Sequence, residues 1–196
     1  MVEIRGTHGT CVSRAEQIVQ QGTMAKGPGR VGIGAYFWTA VNDSEPCRAY
    51  AGKLATGWAL RASRQGQYRG ERDQGIAIVH TVIAVEEDDY ISLDDPQFLY
   101  WLRDFLGRRL MEHYHVDAVE KLDASRLHKK EDMIHGIIEA FVAQLEENLG
   151  TAFKVIFKSV QANKCIDDPL LPFIGNPNCF AVRDTAVIRK LEITKI

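Results

Sequence analysis

The sequence of 196 residues predicts a single α+β domain spanning residues 1–196, and two features indicate this class. Segments near both ends of the chain are rich in the β-branched and aromatic residues that favour strands. The middle, in contrast, has the apolar spacing of two consecutive amphipathic helices. Helices between strands are typical of an insertion, here at about residues 95–150, in a mostly β core. We therefore expect early and late strands to meet in one sheet with flanking helices.

The first segments predict a strand followed by a short helix. Residues 3–11 favour a strand, and Ser13 and Glu16 then have the Ser-x-x-Glu spacing of a capping box. The apolar positions that follow have helical spacing. Gly22 suits the left-handed position that ends a helix.

A glycine-rich loop at residues 26–32 comes next. Its glycines match Gly-x-Gly-x-x-Gly, but the dinucleotide-binding form of that pattern needs a preceding strand and a helix that begins inside it. Neither is predicted here, so we interpret the glycines as a loop and reject a Rossmann site. Residues 35–39 favour a strand. Asp43 or Ser44 then caps a helix with Pro46 in its first turn.

The rest of the chain predicts two long helices and four strands. Asp94, Asp95 and Pro96 form a helix-start signal, and a second helix runs from about residue 129 to Leu149, before Gly150. A loop of Asp, Pro and Gly residues separates the second and third of the later strands. These strands are predicted at residues 76–85, 153–160, 179–182 and 187–193.

Charge and cysteine content exclude several functional classes. The net charge of −2 provides no global basic field for nonspecific nucleic-acid binding. The four cysteines form no Cys-x-x-Cys pair, which argues for reduced thiols and against a metal site. No apolar run approaches the roughly 20 residues that span a bilayer, and no signal peptide is visible. We expect a cytoplasmic protein without membrane association. The cysteines are Cys11, Cys47, Cys165 and Cys179.

Three segments in a fixed order carry the strongest functional signal. Residues 6–11 read GTHGTC, residues 32–37 read GIGAYF, and the next helix carries Tyr50. This order resembles the nicotinamide pocket of ADP-ribosyltransferases of the diphtheria-toxin and poly(ADP-ribose) polymerase type. In that family a His-Gly-Thr strand precedes a Gly-x-Gly-x-Tyr-Phe strand and a stacking tyrosine. The resemblance covers about the first third and the final quarter of the chain. It implies a split antiparallel β-sheet core and NAD as substrate.

The resemblance also implies a role for each matching residue. His8 would bind a ribose hydroxyl of the adenosine half of NAD, and the backbone of Gly9 would bind the nicotinamide carboxamide. Tyr36 and Tyr50 would stack on the two faces of the nicotinamide ring. The remaining motif residues, Thr10 and Phe37, are expected beside NAD as well.

A serine that binds the carboxamide is expected shortly before the stacking tyrosine of the helix. Counting from Tyr36, this position is Ser44, whereas counting back from Tyr50 gives Cys47. Both assignments remain open.

The family's catalytic glutamate is replaced in this chain. Residues 178–184, NCFAVRD, are similar to the last strand of the polymerases, and Cys179 stands where that strand has its glutamate. A neutral thiol cannot supply the charge of a carboxylate. The substitution makes polymer synthesis the least expected outcome. It leaves mono-ADP-ribosyl transfer, binding of NAD or ADP-ribose without turnover, or a carboxylate from elsewhere, such as Glu71.

The main hypothesis is a mono-ADP-ribosyltransferase that releases nicotinamide from NAD and modifies a protein or a nucleic acid. The resemblance and the small size suit a bacterial or phage toxin or defence effector, with an antitoxin-like protein as a further partner. One alternative is an RNA-repair 2′-phosphotransferase. Another is a plain β-rich core in which Tyr36 and Tyr50 are buried with no cavity between them. The phosphotransferase requires a basic pocket formed by Arg61, Arg64, Arg69 and Arg72.

Overall fold

The computed structural model describes residues 1–162 and 175–196. Cys165 and most of the predicted loop of Asp, Pro and Gly residues lie outside the described residues. The described residues form seven strands, and the helices lie between them. The elements are β1 (Val2–Cys11), α1 (Val12–Gln21), β2 (Ala35–Ala40), α2 (Glu45–Arg64), β3 (Ile76–Val85), β4 (Tyr90–Ser92), α3 (Pro96–Tyr114), α4 (Ala124–Leu127), α5 (Glu131–Leu149), β5 (Val155–Ser159), β6 (Asn178–Val182) and β7 (Ile188–Lys195).

All these strands belong to one sheet with the order β4-β5-β6-β2-β1-β3-β7. Early and late strands meet in it, because β2 pairs with β6 and β3 pairs with β7. The α+β class is therefore confirmed. The sheet is nevertheless mixed, whereas an antiparallel core was expected, because β4 pairs with β5 in parallel. The sequence did not predict β4, since three residues are too few to show strand periodicity.

Helix α1 lies where the sequence predicts it, but the predicted capping box is absent. Strand β1 continues directly into the helix, so Cys11 occupies the N-cap position and Ser13 lies in the first turn. The Ser13 hydroxyl accepts a hydrogen bond from the Asp73 amide at 2.7 Å. It thereby fixes the chain that leads into β3. The helix ends as predicted at Gly22, which has φ 66°.

Helix α2 packs closely across β1. The hydroxyl of Thr7 donates a hydrogen bond to the backbone oxygen of Ala51 at 2.7 Å. Two residues further along β1, a Cβ atom at Gly9 would lie 1.9 Å from the backbone oxygen of Ala55. Only glycine fits at this crossing. The absence of a side chain at Gly9 therefore sets the distance between helix and strand.

Helices α3 and α5 cover the sheet on the side of α2. Asp95 caps α3 by accepting a hydrogen bond from the Gln97 amide at 2.9 Å. The rings of Phe105 and Phe141 pack with centroids 5.6 Å apart, in one buried cluster with Trp38 of β2. None of the helices in the described part of the chain is long and apolar enough to cross a bilayer.

The ladder between β1 and β2 is short. The two strands pair through three residue pairs, from Arg5–Ala40 to Thr7–Trp38, whereas β1 pairs with β3 through all ten of its residues. Beyond Trp38, towards its N-terminal end, β2 continues to pair with β6 as far as Ala35. The sheet is thus split beyond Thr7, with β1 held by β3 on one side and β2 held by β6 on the other.

We expect Gly9→Ala to lower the free energy of unfolding by about 1–3 kcal/mol, because the added methyl group meets rigid backbone. Gly136→Ala is a matched control, since Gly136 lies in α5 with no atom within 4 Å of an added Cβ. The control variant gains about 0.5–1 kcal/mol from reduced backbone freedom. Urea unfolding of both variants measures the difference. Equal stability of Gly9→Ala and the unsubstituted protein would contradict the close crossing.

Candidate functional site

A cavity of about 680 Å³ opens where β1 and β2 separate. Its walls come from both strands, the glycine-rich loop, α2, the start of α5 and residues 160–162. The volume lies in the range of cavities that hold drug-sized ligands and cofactors. The split in the sheet therefore forms a site of the size of a nucleotide.

Five of the residues predicted from the sequence line this cavity. They come from three separate strands, with one group from β1, one from β2 and a single residue from β6. The fold therefore brings together positions from the start and the end of the chain. The five residues are His8, Gly9, Tyr36, Phe37 and Cys179.

Three other predicted residues do not line it. Thr10 is buried and shares a hydrogen bond with Tyr68. Ser44 is exposed at the N-cap of α2. Tyr50 packs against the buried cluster that includes Trp38, and it does not line the cavity. A stacking role for Tyr50 and a carboxamide role for Ser44 are therefore not supported by this arrangement.

His8 is held as a neutral imidazole. Its Nδ1 lies 2.9 Å from the backbone oxygen of Tyr36. Because this oxygen can only accept, Nδ1 carries the ring proton and donates a hydrogen bond to it. Burial lowers the pKa of His8 to about 4. The other ring nitrogen, Nε2, then has a free lone pair. At neutral pH His8 can accept a hydrogen bond from a ligand hydroxyl.

Tyr36 supports the glycine-rich loop above the cavity. Its hydroxyl donates to the backbone oxygen of Gly32 and accepts from the Val31 amide at 3.1 Å. A Cβ atom at Gly29 would lie 2.5 Å from the Tyr36 hydroxyl, so the loop can lie against the ring only with glycine there. Burial raises the pKa of Tyr36. The phenol therefore stays neutral and acts as an anchor.

Ile33, the residue directly after this loop, is tied to α5. The Ile33 amide donates to a carboxylate oxygen of Glu139 at 2.6 Å. Arg183, just after β6, donates to Glu139 at 2.9 Å and to Glu146 at 3.4 Å. These side chains are only 18–24% exposed, so solvent screens their charges weakly. Helix α5 thus helps to set the shape of the loop.

Helix α5 also supplies two cavity residues that the sequence analysis missed, Glu131 and His135. Arg30 of the loop donates to Glu131 at 2.9 Å, and this hydrogen bond lowers the pKa of the carboxyl group. Burial lowers the pKa of His135. The only sequence signal that linked these two residues was their spacing of four, which places both on one face of a helix. Among the described lining residues, Glu131 is the one carboxylate.

Cys179 lines the cavity as a neutral thiol. Burial and then the charge of Asp94 raise its pKa to about 12. A thiol of this kind is neither a base nor an activated nucleophile at neutral pH. The predicted substitute carboxylate, Glu71, instead forms an ion pair with Arg14 at 2.7 Å and does not line the cavity. Its proposed role is therefore not supported.

The basic pocket required by a phosphotransferase is present only in part. Of the four arginines considered from the sequence, Arg61 lines the cavity, whereas Arg72 pairs with Glu16 at 3.0 Å. Arg30 adds a second guanidinium that the sequence analysis did not single out.

Within residues 1–162 and 175–196, no group of three or more His, Cys, Asp or Glu side chains could hold a metal ion.

The cavity thus combines two histidines, of which His8 is neutral, with aromatic rings, one carboxylate and two guanidinium groups. These are groups that bind a ribose, a flat ring and phosphates. Comparison of the chain with protein-family models, with curated proteins and with solved structures gives no match. The case for a function rests on the residues of this cavity.

The neutral state of His8 predicts a pH dependence of stability. Its pKa of about 4 in the folded protein lies below the ordinary value of 6.5, so the unfolded chain binds more protons between these values. The contribution of His8 to the free energy of unfolding is fully present above pH 6.5 and is lost as the pH falls towards 4. Between pH 7 and pH 5 the loss is at most about 2 kcal/mol.

Urea unfolding of the unsubstituted protein and of His8→Gln at both pH values measures this loss. His80 and His135 remain in both proteins, so the difference between the two isolates His8. His113→Gln, which removes an exposed histidine from α3, should keep the full pH dependence. An unchanged pH dependence in His8→Gln would show that His8 is not held neutral by burial.

Proposed function

We propose that the protein is an NAD-dependent mono-ADP-ribosyltransferase that releases nicotinamide and transfers ADP-ribose to a macromolecular acceptor. The observation that carries this proposal is that His8, Gly9 and Tyr36, which match the family motifs, line one cavity of nucleotide size together with Cys179, which stands at the family's glutamate position. A β-rich core without function would not require an opening at these positions. The cavity of about 680 Å³ favours a ligand-binding protein over a β-rich core without a binding site.

In this proposal the strand separation receives the nicotinamide half of NAD. His8 accepts a hydrogen bond from a ribose hydroxyl of the adenosine half through Nε2, which is unprotonated at neutral pH. The ring of Tyr36 lies beside the nicotinamide. Trp38, two residues along β2, has its side chain on the same face of the sheet and also lines the cavity. Tyr36 and Trp38 therefore replace the pair that was expected from Tyr36 and Tyr50.

The bond that breaks joins the ribose C1′ atom to the nicotinamide nitrogen. Nicotinamide leaves as a neutral molecule with the electron pair, and positive charge develops on the ribose. A nucleophilic atom of the acceptor then bonds to C1′ and loses its proton. A nearby negative charge stabilises such a transition state more than the ground state.

We assign the role of this stabilising negative charge to the Glu131 carboxylate. Its hydrogen bond from Arg30 keeps it ionised, and it lines the same cavity as His8 and Cys179. Cys179 occupies the family's glutamate position but contributes no charge, because its pKa is raised to about 12. The insertion helix thereby compensates for the residue that β6 lacks.

The buried thiol also favours a second candidate function. A protein of this kind without a carboxylate in β6 could bind NAD or ADP-ribose and not turn it over. The two candidates share the cavity and differ only in whether nicotinamide is released.

Nicotinamide release from NAD tests the proposal directly. We expect release by the unsubstituted protein and a reduction of about 10–100-fold in His8→Ala, because a buried hydrogen bond to the ligand is lost. His113→Ala, at an exposed histidine of α3, is the control and should retain full activity. Saturable NAD binding without release would favour the binding module. Neither binding nor release, with or without cell lysate as acceptor, would contradict both candidates.

Glu131→Gln tests the assigned carboxylate. The substitution keeps the size and removes the charge, so we expect kcat for nicotinamide release to fall by about 10²-fold while KM changes little. Glu112→Gln, at an exposed glutamate of α3, should leave both constants unchanged. Partial recovery of kcat in the double variant with Cys179→Glu would locate the charge at the same reaction centre. A normal kcat in Glu131→Gln would exclude this role.

A further inference from the structure

The cavity has an exposed tryptophan at its edge. Trp58 of α2 lines the cavity and is 46% exposed, whereas Trp38 in the same cavity is 7% exposed. Indole rings bury large apolar areas when they have a partner to pack against. The Trp58 ring is therefore placed where a bound ligand would cover it.

Arg61 stands one turn further along α2 and lines the same cavity. Its guanidinium carbon lies 5.6 Å from the centre of the Trp58 ring. A planar guanidinium beside an indole presents a stacking surface and a phosphate-binding fork side by side. This pair matches an aromatic base that is joined to a phosphate.

We propose that Trp58 and Arg61 form the subsite for the adenosine-diphosphate half of NAD. The Trp58 ring stacks on the adenine, and the Arg61 guanidinium donates hydrogen bonds to the pyrophosphate. This assignment rests on the proposed function, since it takes NAD as the ligand of the cavity. It extends that function to the half of the substrate that does not react.

The position of the pair along α2 agrees with an extended dinucleotide. The helix crosses β1 at Gly9, where Ala55 and Ala59 make the close contacts. Trp58 lies on this stretch of the helix, and Arg61 lies beyond it. A ligand with its nicotinamide beside Gly9 and Tyr36 can therefore pass Trp58 and continue along α2 to Arg61.

Charge supports the same ligand. Arg30 and Arg61 are two positive groups of the cavity, and Glu131 is the one carboxylate among its described lining residues. His8 adds no charge at neutral pH, because its pKa is about 4. NAD carries two phosphate charges and one positive nicotinamide ring. The excess of positive charge in the site complements the excess of negative charge in the ligand.

Titration calorimetry with ADP-ribose and with nicotinamide separates the two halves of the site. We expect Trp58→Ala to weaken ADP-ribose binding by about tenfold or more, because one base–aromatic stack is lost. Nicotinamide affinity should not change. Trp101→Ala is the matched control, since Trp101 is 40% exposed on α3 and does not line the cavity. Trp58→Phe keeps an aromatic face and should retain most of the affinity.

Arg61→Gln tests the phosphate contact. This variant should bind ADP-ribose more weakly than the unsubstituted protein and with a smaller dependence on salt concentration, because one charge–charge interaction is removed. Its nicotinamide affinity should remain unchanged.

Each other outcome has a definite meaning. Normal ADP-ribose affinity in Trp58→Ala, with NAD turnover intact in the unsubstituted protein, overturns the subsite and leaves the proposed function standing. Equal losses of nicotinamide and ADP-ribose binding indicate a general structural defect and overturn the subsite as well. If Trp58→Ala keeps its ADP-ribose affinity but no longer binds a labelled single-stranded RNA, Trp58 contacts the acceptor and the subsite is overturned. An unsubstituted protein that binds neither ligand overturns both proposals.

Discussion

The site depends on one hydrogen bond between two strands that have stopped pairing. Where the ladder between β1 and β2 ends, each strand is left with backbone groups that face the gap, and buried groups of this kind require partners. The Nδ1 proton of His8 satisfies the backbone oxygen of Tyr36 across this gap. The sheet can therefore stay open without leaving that oxygen unpaired. The same bond fixes the tautomer of His8 and presents its other nitrogen to a ligand.

Helix α5 contributes more to the site than its position in the sequence suggests. Its Glu139 binds the Ile33 amide directly after the glycine-rich loop and accepts from Arg183, and its Glu131 and His135 line the cavity itself. The loop in turn rests on Tyr36. Three elements that are distant in sequence thus share one network of polar contacts, and α5 forms a wall of the site.

Local signals in the sequence predicted most of the helices and strands, but they did not predict which residues from different elements meet in the cavity. The continuous β-branched run of β3 predicted both of its ends, and the Asp-Pro pair predicted the start of α3. The capping box failed because β1 runs directly into α1, which places Ser13 inside the first turn, where its hydroxyl instead accepts a hydrogen bond from the Asp73 amide. Motif order identified His8 and Tyr36 as cavity residues. Glu131 is more than half the chain away from His8, and no spacing rule connects positions so far apart.

The ties between the loop and α5 also affect how the cavity can open. A surface loop that is rich in glycine usually fluctuates alone, at little cost in free energy. Here Ile33, directly after the loop, is bonded to Glu139, which is itself bonded to Arg183, so lifting the loop breaks contacts on α5 and after β6. The loop and α5 therefore form one cooperative unit for local unfolding. Access to the cavity is coupled to the stability of α5.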